Sequence, residues 1–557
     1  MARTVANRGG SRDPAWLGEA YEERLRANPM ERRRRGAFMT PPQLAQLAVR
    51  ESVDRWSGRG VPAVLDPACG TGNLLVVAAE RLLARGASPG AIAARLKGIE
   101  IEAEAARIAR TRLEVVLGGG PAVRRALQRG IRCADAVRVP AAWMQCDVVI
   151  ANPPFLGQLR RGTVVDRAAA ARWRARLGDA VRGYADPAAA FLLLSVRSLR
   201  PGGRAAVILP RPMLAAASAQ AIRDEVDRVA RLERIWMDDR FSFDAGTRVC
   251  ILSLSVPGVG MRVATRALTI HGEVKATLPW KFWGGRWGAA AAASAGVPAL
   301  EVRQVGRIGD LAGVTADFRD QYYGLRGALC DDRHAGRGLN ALRPRTATID
   351  RGASRMDRLP VITTGLIGWN RSLWGERSAR LLGRVFAHPA ARVPALLPRG
   401  EMRGWLSAAL HPKILVATQT PVIEAVVDPR GELAPGVPVI RLLPHDAHDV
   451  WPLAAALLAP ATSAIAWWRH AGAGLSPKAI KLSARQVAEL PLPVDRRAWM
   501  DAAQRLREAQ EARGESERVA SLERFAESAN MAYRVPKSRR HALLRWWKPR
   551  AWGTFTQ

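Results

Sequence analysis

Apolar and polar positions fall into a strand–helix rhythm from Val61 onward. Val61–Asp66 is an apolar run of strand length, and Asn73–Arg85 repeats its apolar residues at helical spacing. Leu96–Ile101 predicts a second strand, followed by a helix reaching about Leu117. Ile131–Ala134 predicts a short third strand, and Cys146–Ala151 a fourth, buried on both faces. Pro187–Leu199 predicts a helix, and Arg204–Leu209 a strand after the Pro201-Gly202-Gly203 turn. A helix around Ala215–Arg231 and strands at Leu232–Met237 and Arg248–Val256 complete the series. Short apolar strands alternating with helices imply a doubly wound, Rossmann-like α/β domain with a seven-stranded, mostly parallel sheet.

The flanking sequence reads differently. Residues 1–35 are polar and basic, with a helix expected from about Asp13 to Ala27. Residues 258–493 are rich in Gly, Pro, Trp and Arg and show no countable period, which predicts a loop-rich α+β domain. Residues 494–557 form a polar helical segment ending in a basic tail. The catalytic candidate is therefore residues 36–257.

Composition narrows the class. The chain of 557 residues carries 85 Lys plus Arg against 50 Asp plus Glu, a formal charge of +35. Only eight of the basic residues are lysine, and part of the arginine excess matches GC-rich coding. The total still predicts attraction to polyanions. Arg32–Arg35 form one run, and Lys537–Gln557 holds six basic residues and no acidic one. Nucleic acid is the leading partner; a membrane surface is disfavoured because no long amphipathic helix accompanies the charge. No apolar run approaches about 20 residues, and the first residues lack a secretory signal. Five scattered cysteines without a CxxC fit reduced thiols and offer no metal site. These features predict a cytoplasmic protein.

Two constellations carry chemistry. In the first, Asp66-Pro67-Ala68-Cys69-Gly70-Thr71-Gly72-Asn73 follows a strand and opens a helix. Glycines let backbone approach a ligand, and open α/β sheets bind ligands beyond the carboxyl ends of their strands. No Lys-Ser/Thr follows, so a phosphate-cradling P-loop is disfavoured. Glu100, at the end of the second strand, suits the two hydroxyls of a ribose, or else is an acid favoured at a helix start. Asp135, after the third strand, suits an exocyclic amine, or else is a cap. In the second constellation, Asn152-Pro153-Pro154-Phe155 ends the fourth strand. An amide oxygen and the Pro153 carbonyl can accept two hydrogen bonds from one amino group, and Phe155 can stack on the base that bears it, or else the motif is a strand-terminating loop.

With these motifs the chain resembles the amino-type (N6-adenine) DNA methyltransferases that use S-adenosylmethionine. The resemblance is to the gamma-type branch, whose Gly-rich loop precedes the Asn-Pro-Pro motif and whose target-recognition domain follows. Gly36-Ala37-Phe38-Met39-Thr40-Pro41-Pro42 looks like the family's N-terminal cofactor motif. The resemblance implies that Thr40, Asp66, Ala68, Gly70 and Gly72 line the methionine end of the cofactor. Glu100 then holds its ribose and Asp135 its adenine. Asn152, Pro153, Pro154 and Phe155 form the catalytic motif that receives the target base. A looser likeness to recognition domains rests on Lys413–Val416, Pro421–Asp428, Ala479–Ser483 and Leu490–Pro493. Two departures are Ala136, where an aromatic often packs on the cofactor adenine, and Phe155 in place of the commoner Tyr.

Such an enzyme flips its adenine out of the duplex. Phe243, or else Phe241, is expected to cover the face of the base opposite Phe155. Arg160 and Arg161 are either phosphate contacts or a solvated loop. Trp369, Asn370, Trp374 and Arg377 are expected to read or wedge bases, with core packing the alternative for the two tryptophans. Cys69 is not expected to be a nucleophile, because Asn152-Pro153-Pro154 stands where a cytosine C5-methylating enzyme carries Pro-Cys. The expected partners are double-stranded DNA and a separate nuclease or defence-system subunit; about 35 residues before Thr40 are too few for a fused nuclease. Two alternatives are a methyltransferase of RNA or protein amides and a catalytically silent DNA-binding scaffold.

Overall fold

A computed structural model of the chain describes residues 40–154, 167–181, 187–237, 248–258, 267–272, 274–279, 286–316, 323–335, 358–396, 400–472, 479–512 and 514–552, with Tyr21, Glu23 and Trp283. The fold divides into two units, residues 1–294 and 295–557.

The first unit is built on β1 (Val64–Asp66), β2 (Leu96–Glu100), β3 (Ile131–Cys133), β4 (Cys146–Ala151), β5 (Leu199–Pro210), β6 (Arg231–Trp236) and β7 (Val249–Ser255). These are the seven expected strands. Two more, β8 (Leu268–His271) and β9 (Ala276–Leu278), extend the sheet beyond residue 257. Among the described residues the order is β3-β2-β1-β4-β5-β7-β6-β8-β9. β1 runs parallel to β2 and β4, whereas β7 runs antiparallel between β5 and β6. The chain steps outward from β1 to β3, then returns to β4 on the other side. The crevice between β1 and β4 is thus the switch point at which such sheets hold ligands.

Helices cover this sheet: α1 (Pro42–Ser52), α2 (Asn73–Ala84), α3 (Pro89–Arg95), α4 (Ala103–Val116), α5 (Pro121–Gly130), α6 (Arg167–Leu177), α7 (Pro187–Arg197) and α8 (Gln220–Val229). Strand β4 is buried almost throughout, which is why its sequence is a continuous apolar run rather than an alternation. Helix α1 buries Leu44, Ala45, Leu47, Ala48 and Val49 and packs on β4, β5 and β7.

The second unit contains more helix than its Gly- and Pro-rich sequence suggests. One antiparallel sheet takes β10 (Ala312–Ala316), β14 (Lys413–Ala417), β15 (Ala425–Asp428) and β17 (Val439–Pro444) in the order β10-β17-β14-β15. Another takes β11 (Leu329–Asp331), β12 (Arg358–Ile362), β13 (Pro389–Arg392) and β16 (Ala434–Pro435) in the order β11-β13-β12-β16. Among the helices, α9 (Val450–Leu458) and α10 (Pro460–His470) are almost wholly buried, and α11 (Arg496–Glu511) packs along α12 (Glu515–Ala532). The segments that carried the looser family likeness, Lys413–Val416 and Pro421–Asp428, supply the paired core strands β14 and β15. Lys413 is buried there and donates to the Asp428 carboxylate and the Ala409 carbonyl.

The basic tail is part of this fold. Helix α13 (Lys537–Trp552) packs on α10, and its Trp547 is buried edge-on against Trp369 with ring centroids 5.1 Å apart. For Trp369 the core reading holds, whereas Asn370, expected to contact bases, is instead part of the core. Asn370 is buried, and its Nδ2 donates to the Leu506 carbonyl at 3.3 Å. Trp374 is half-buried and donates from Nε1 to the Pro389 carbonyl at 2.8 Å. Among the described residues no single helix is long and apolar enough to cross a membrane.

Candidate active site

The turn after β1 is the first wall of the crevice. Asp66 ends β1 fully within the protein, and its Oδ1 accepts the Ala68 amide at 3.0 Å. Gly70 and Gly72 both have positive φ, +55° and +85°, conformations that side chains other than hydrogen disfavour. Gly72 caps α2 and lies so close to α4 that an added Cβ would stand 3.1 Å from the Ala109 Cβ. Arg112, one turn further along α4, is buried and donates to the Thr71 carbonyl at 3.0 Å. The turn is therefore held from behind by the helix that follows β2. Arg112 escaped the sequence reading because its spacing from Ala109 on one helix face becomes informative only once α4 is known to back this turn.

Glu100 ends β2 and binds the same turn: Gly70 donates its amide to Oε2 and Glu102 donates to Oε1, both at 2.9 Å. Burial pushes the Asp66 carboxyl up to about 8, opposed by the Ala68 amide and reinforced by Glu100. Burial also raises Glu100, against the pull of the Glu102 and Gly70 amides. The residue after it, Ile101, is 68% exposed although apolar. An apolar residue directly after a strand-end acid was the available signal.

Asp135 follows β3. Its Oδ1 caps a short turn by accepting the Val137 amide at 3.1 Å, and its Oδ2 lies 3.7 Å from Arg172 of α6 and 3.9 Å from Arg138. The capping reading of Asp135 is thus realised, while Oδ2 remains beyond hydrogen-bond range of both guanidinium groups. Cys69 is buried, and burial followed by the Asp66 and Glu100 charges drives its thiol well above the usual range. A thiol so protonated is a poor nucleophile.

The second wall is the end of β4. Leu65 pairs with Val149 across β1 and β4, which brings Asn152 to the carboxyl end of the sheet beside the Asp66 turn. Asn152 Nδ2 donates to Thr40 Oγ1 at 3.0 Å across 112 residues of chain. Thr40, Asp66, Ala68, Gly70, Gly72, Glu100, Asn152, Pro153 and Pro154 thereby gather at one end of β1, β2 and β4, with Asp135 beyond β3. Phe155, Arg160, Arg161, Phe241 and Phe243 lie outside the described residues.

The donor set tests which cofactor suits the crevice. Its walls present two carboxylates, a glycine turn and an exposed isoleucine. Such walls accept hydrogen bonds from an ammonium group and a ribose diol and oppose the negative charge of phosphates. S-adenosylmethionine has that ammonium, diol and adenine and carries no phosphate, so the residues fit it.

Comparison with known proteins agrees. Residues 12–254 match the family model described as N-6 DNA Methylase. The chain is similar in structure to the type IIL restriction-modification enzyme MmeI, solved in complex with DNA. That likeness has a TM-score of 0.52 at 11% identity and covers 89% of this chain and 73% of that one. It is also similar to a type I modification subunit from Vibrio vulnificus YJ016, with 24% identity, a TM-score of 0.35 and coverage of 47% of this chain. The type IIG restriction endonuclease BpuSI gives 14% identity and a TM-score of 0.43 over 90% of this chain and 67% of that one. The chain spans 53% of the length of the Vibrio subunit. At 11% identity the likeness to MmeI speaks for the fold alone. No curated protein matches the chain.

Proposed function

We propose that this chain is a site-specific DNA adenine N6-methyltransferase of a restriction-modification or phage-defence system, acting with S-adenosylmethionine. The observation that carries the reading is the convergence, at one end of the sheet, of the Asp66 turn, Glu100 and Asn152-Pro153-Pro154, within a domain that matches the N-6 DNA methylases. Each residue has a task there. Asp66 and the Gly70–Gly72 turn face the methionine end of the cofactor, Glu100 accepts from its ribose, and Ile101 packs on its adenine. Ile101 thereby supplies the apolar contact that Ala136 does not. Asp135 Oδ2 accepts from the adenine amine.

S-adenosylmethionine, when bound, supplies the electrophilic methyl group. Asn152 Oδ1 and the Pro153 carbonyl accept the two N6 protons of the target adenine and orient its nitrogen toward that methyl. The base reaches them by leaving the duplex, because N6 inside a helix cannot enter a crevice. Phe155 and Phe243 stack on its two faces, and Arg160 and Arg161 contact neighbouring phosphates. The net charge of +35 suits double-stranded DNA as partner. We place the protein in the bacterial cytoplasm at the nucleoid, with any cleavage carried by a separate subunit.

Methyl transfer from tritiated S-adenosylmethionine to duplex DNA, RNA and protein tests the reading. Label in DNA that appears as N6-methyladenine, and is lost in Asn152→Ala, is the expected result. Label in RNA or protein alone would reassign the substrate; cofactor binding without transfer to any of the three would favour the scaffold.

A further inference from the structure

Asn152 must present an acceptor to the target amino group, yet its side chain ends in two nearly isosteric groups, one accepting and one donating. An Asx turn would tie Oδ1 to the amide two residues on, but Pro153 and Pro154 have no N–H. A bond from a distant segment holds the amide: Nδ2 donates to Thr40 Oγ1 at 3.0 Å. Thr40 is a firm anchor. It is 7% exposed and directly precedes Pro41 and the start of α1, whose apolar face packs on β4 itself.

We infer that Thr40 is the positioning residue of Asn152, its hydroxyl tethering the side-chain amide so that the group is held in place for the target base alongside the Pro153 carbonyl. This rests on the proposed methyl-transfer reading and deepens it. A role in cofactor contact acts on affinity; a role in orienting Asn152 acts on the transfer step.

The test compares Thr40→Val, which keeps the shape and removes the hydroxyl, with Thr40→Ser, which keeps the hydroxyl. Steady-state methyl transfer to duplex DNA and calorimetric binding of S-adenosylmethionine are measured for both. Thr40→Val is expected to lose about five- to tenfold in kcat at saturating cofactor, the rate equivalent of one neutral hydrogen bond, with cofactor Kd and DNA KM within about twofold of wild type. Thr40→Ser restores most of kcat. If Thr40→Val fails to fold, Thr40→Ala gives the same comparison.

A deficit that vanishes at saturating cofactor would overturn the inference in favour of cofactor contact. A Thr40→Ser as impaired as Thr40→Val would overturn it in favour of methyl packing. An inactive Asn152→Ala beside a wild-type Thr40→Val defeats this inference alone, whereas a fully active Asn152→Ala defeats the proposed function and the inference together.

Discussion

The amide of Gly70 donates to Oε2 of Glu100 at 2.9 Å, so the turn after β1 is fastened to the end of β2 by a carboxylate that the cofactor is also expected to use. Glu100→Ala should therefore act twice. Two backbone amides lose their acceptor, which costs about 1–3 kcal/mol of stability. Calorimetric binding of S-adenosylmethionine should weaken by more than about tenfold, from the loss of charge-assisted bonds to the ribose. A variant with unchanged cofactor affinity would remove Glu100 from the site.

Asp66 gives the unliganded protein a pH signature. Its folded value of about 8 lies above the ordinary 3.8, so the fold favours the protonated form. Its contribution to stability is present below about pH 4 and is lost as pH rises toward 8. Glu100 is shifted in the same direction. Melting curves of wild type and Asp66→Asn should therefore diverge between pH 5 and 8, with only the wild type losing stability through Asp66. Parallel curves across that window would mean that Asp66 is already ionised.

The two turn glycines should differ. Gly72→Ala forces φ +85° on an alanine and brings its Cβ to 3.1 Å from Ala109, costing about 1–2 kcal/mol from the backbone alone. Gly70→Ala meets nothing within 4 Å and has a milder φ of +55°. Thermal melts should rank Gly72→Ala below Gly70→Ala and both below wild type; the reverse ranking would mean that contact with α4 does not govern the turn.

How much of this was legible in the sequence varied with how far each signal depended on tertiary partners. Cys146–Ala151 was read with its observed bounds because a strand buried on both faces is a continuous apolar run. The Asp66 turn, Glu100 and Asn152 were legible because strand ends fix chemistry to a predictable edge. Helices α1, α3, α5 and α6 went unread. α5 follows Gly118-Gly119-Gly120 and begins with Pro121, which reads as loop, although proline is also at home in the first turn of a helix. Strands β8 and β9 are four and three residues long and owe their existence to the free edge of β6. The tryptophans of the second unit were ambiguous because one side chain suits a base stack and a core equally well. The Asn152–Thr40 bond was out of reach, since nothing in the sequence says that residues so far apart meet.

Trp547 tests whether the tail belongs to the fold of the second unit. It is fully buried against Trp369 and within 5.7 Å of Trp552. Trp547→Ala should destabilise the second unit by about 3–5 kcal/mol, read as a lowered unfolding midpoint in urea. A midpoint equal to wild type would show that α13 is a detachable arm.

The central claim is that Asn152 directs a methyl group onto adenine N6. Its most direct test is modification-sensitive sequencing of DNA from a methylation-free bacterial host that expresses either the wild-type chain or Asn152→Ala. N6-methyladenine within one sequence motif, absent from the variant, is the predicted result. The same motif modified in both strains would contradict the role of Asn152, and methylated cytosine in place of adenine would contradict the chemistry.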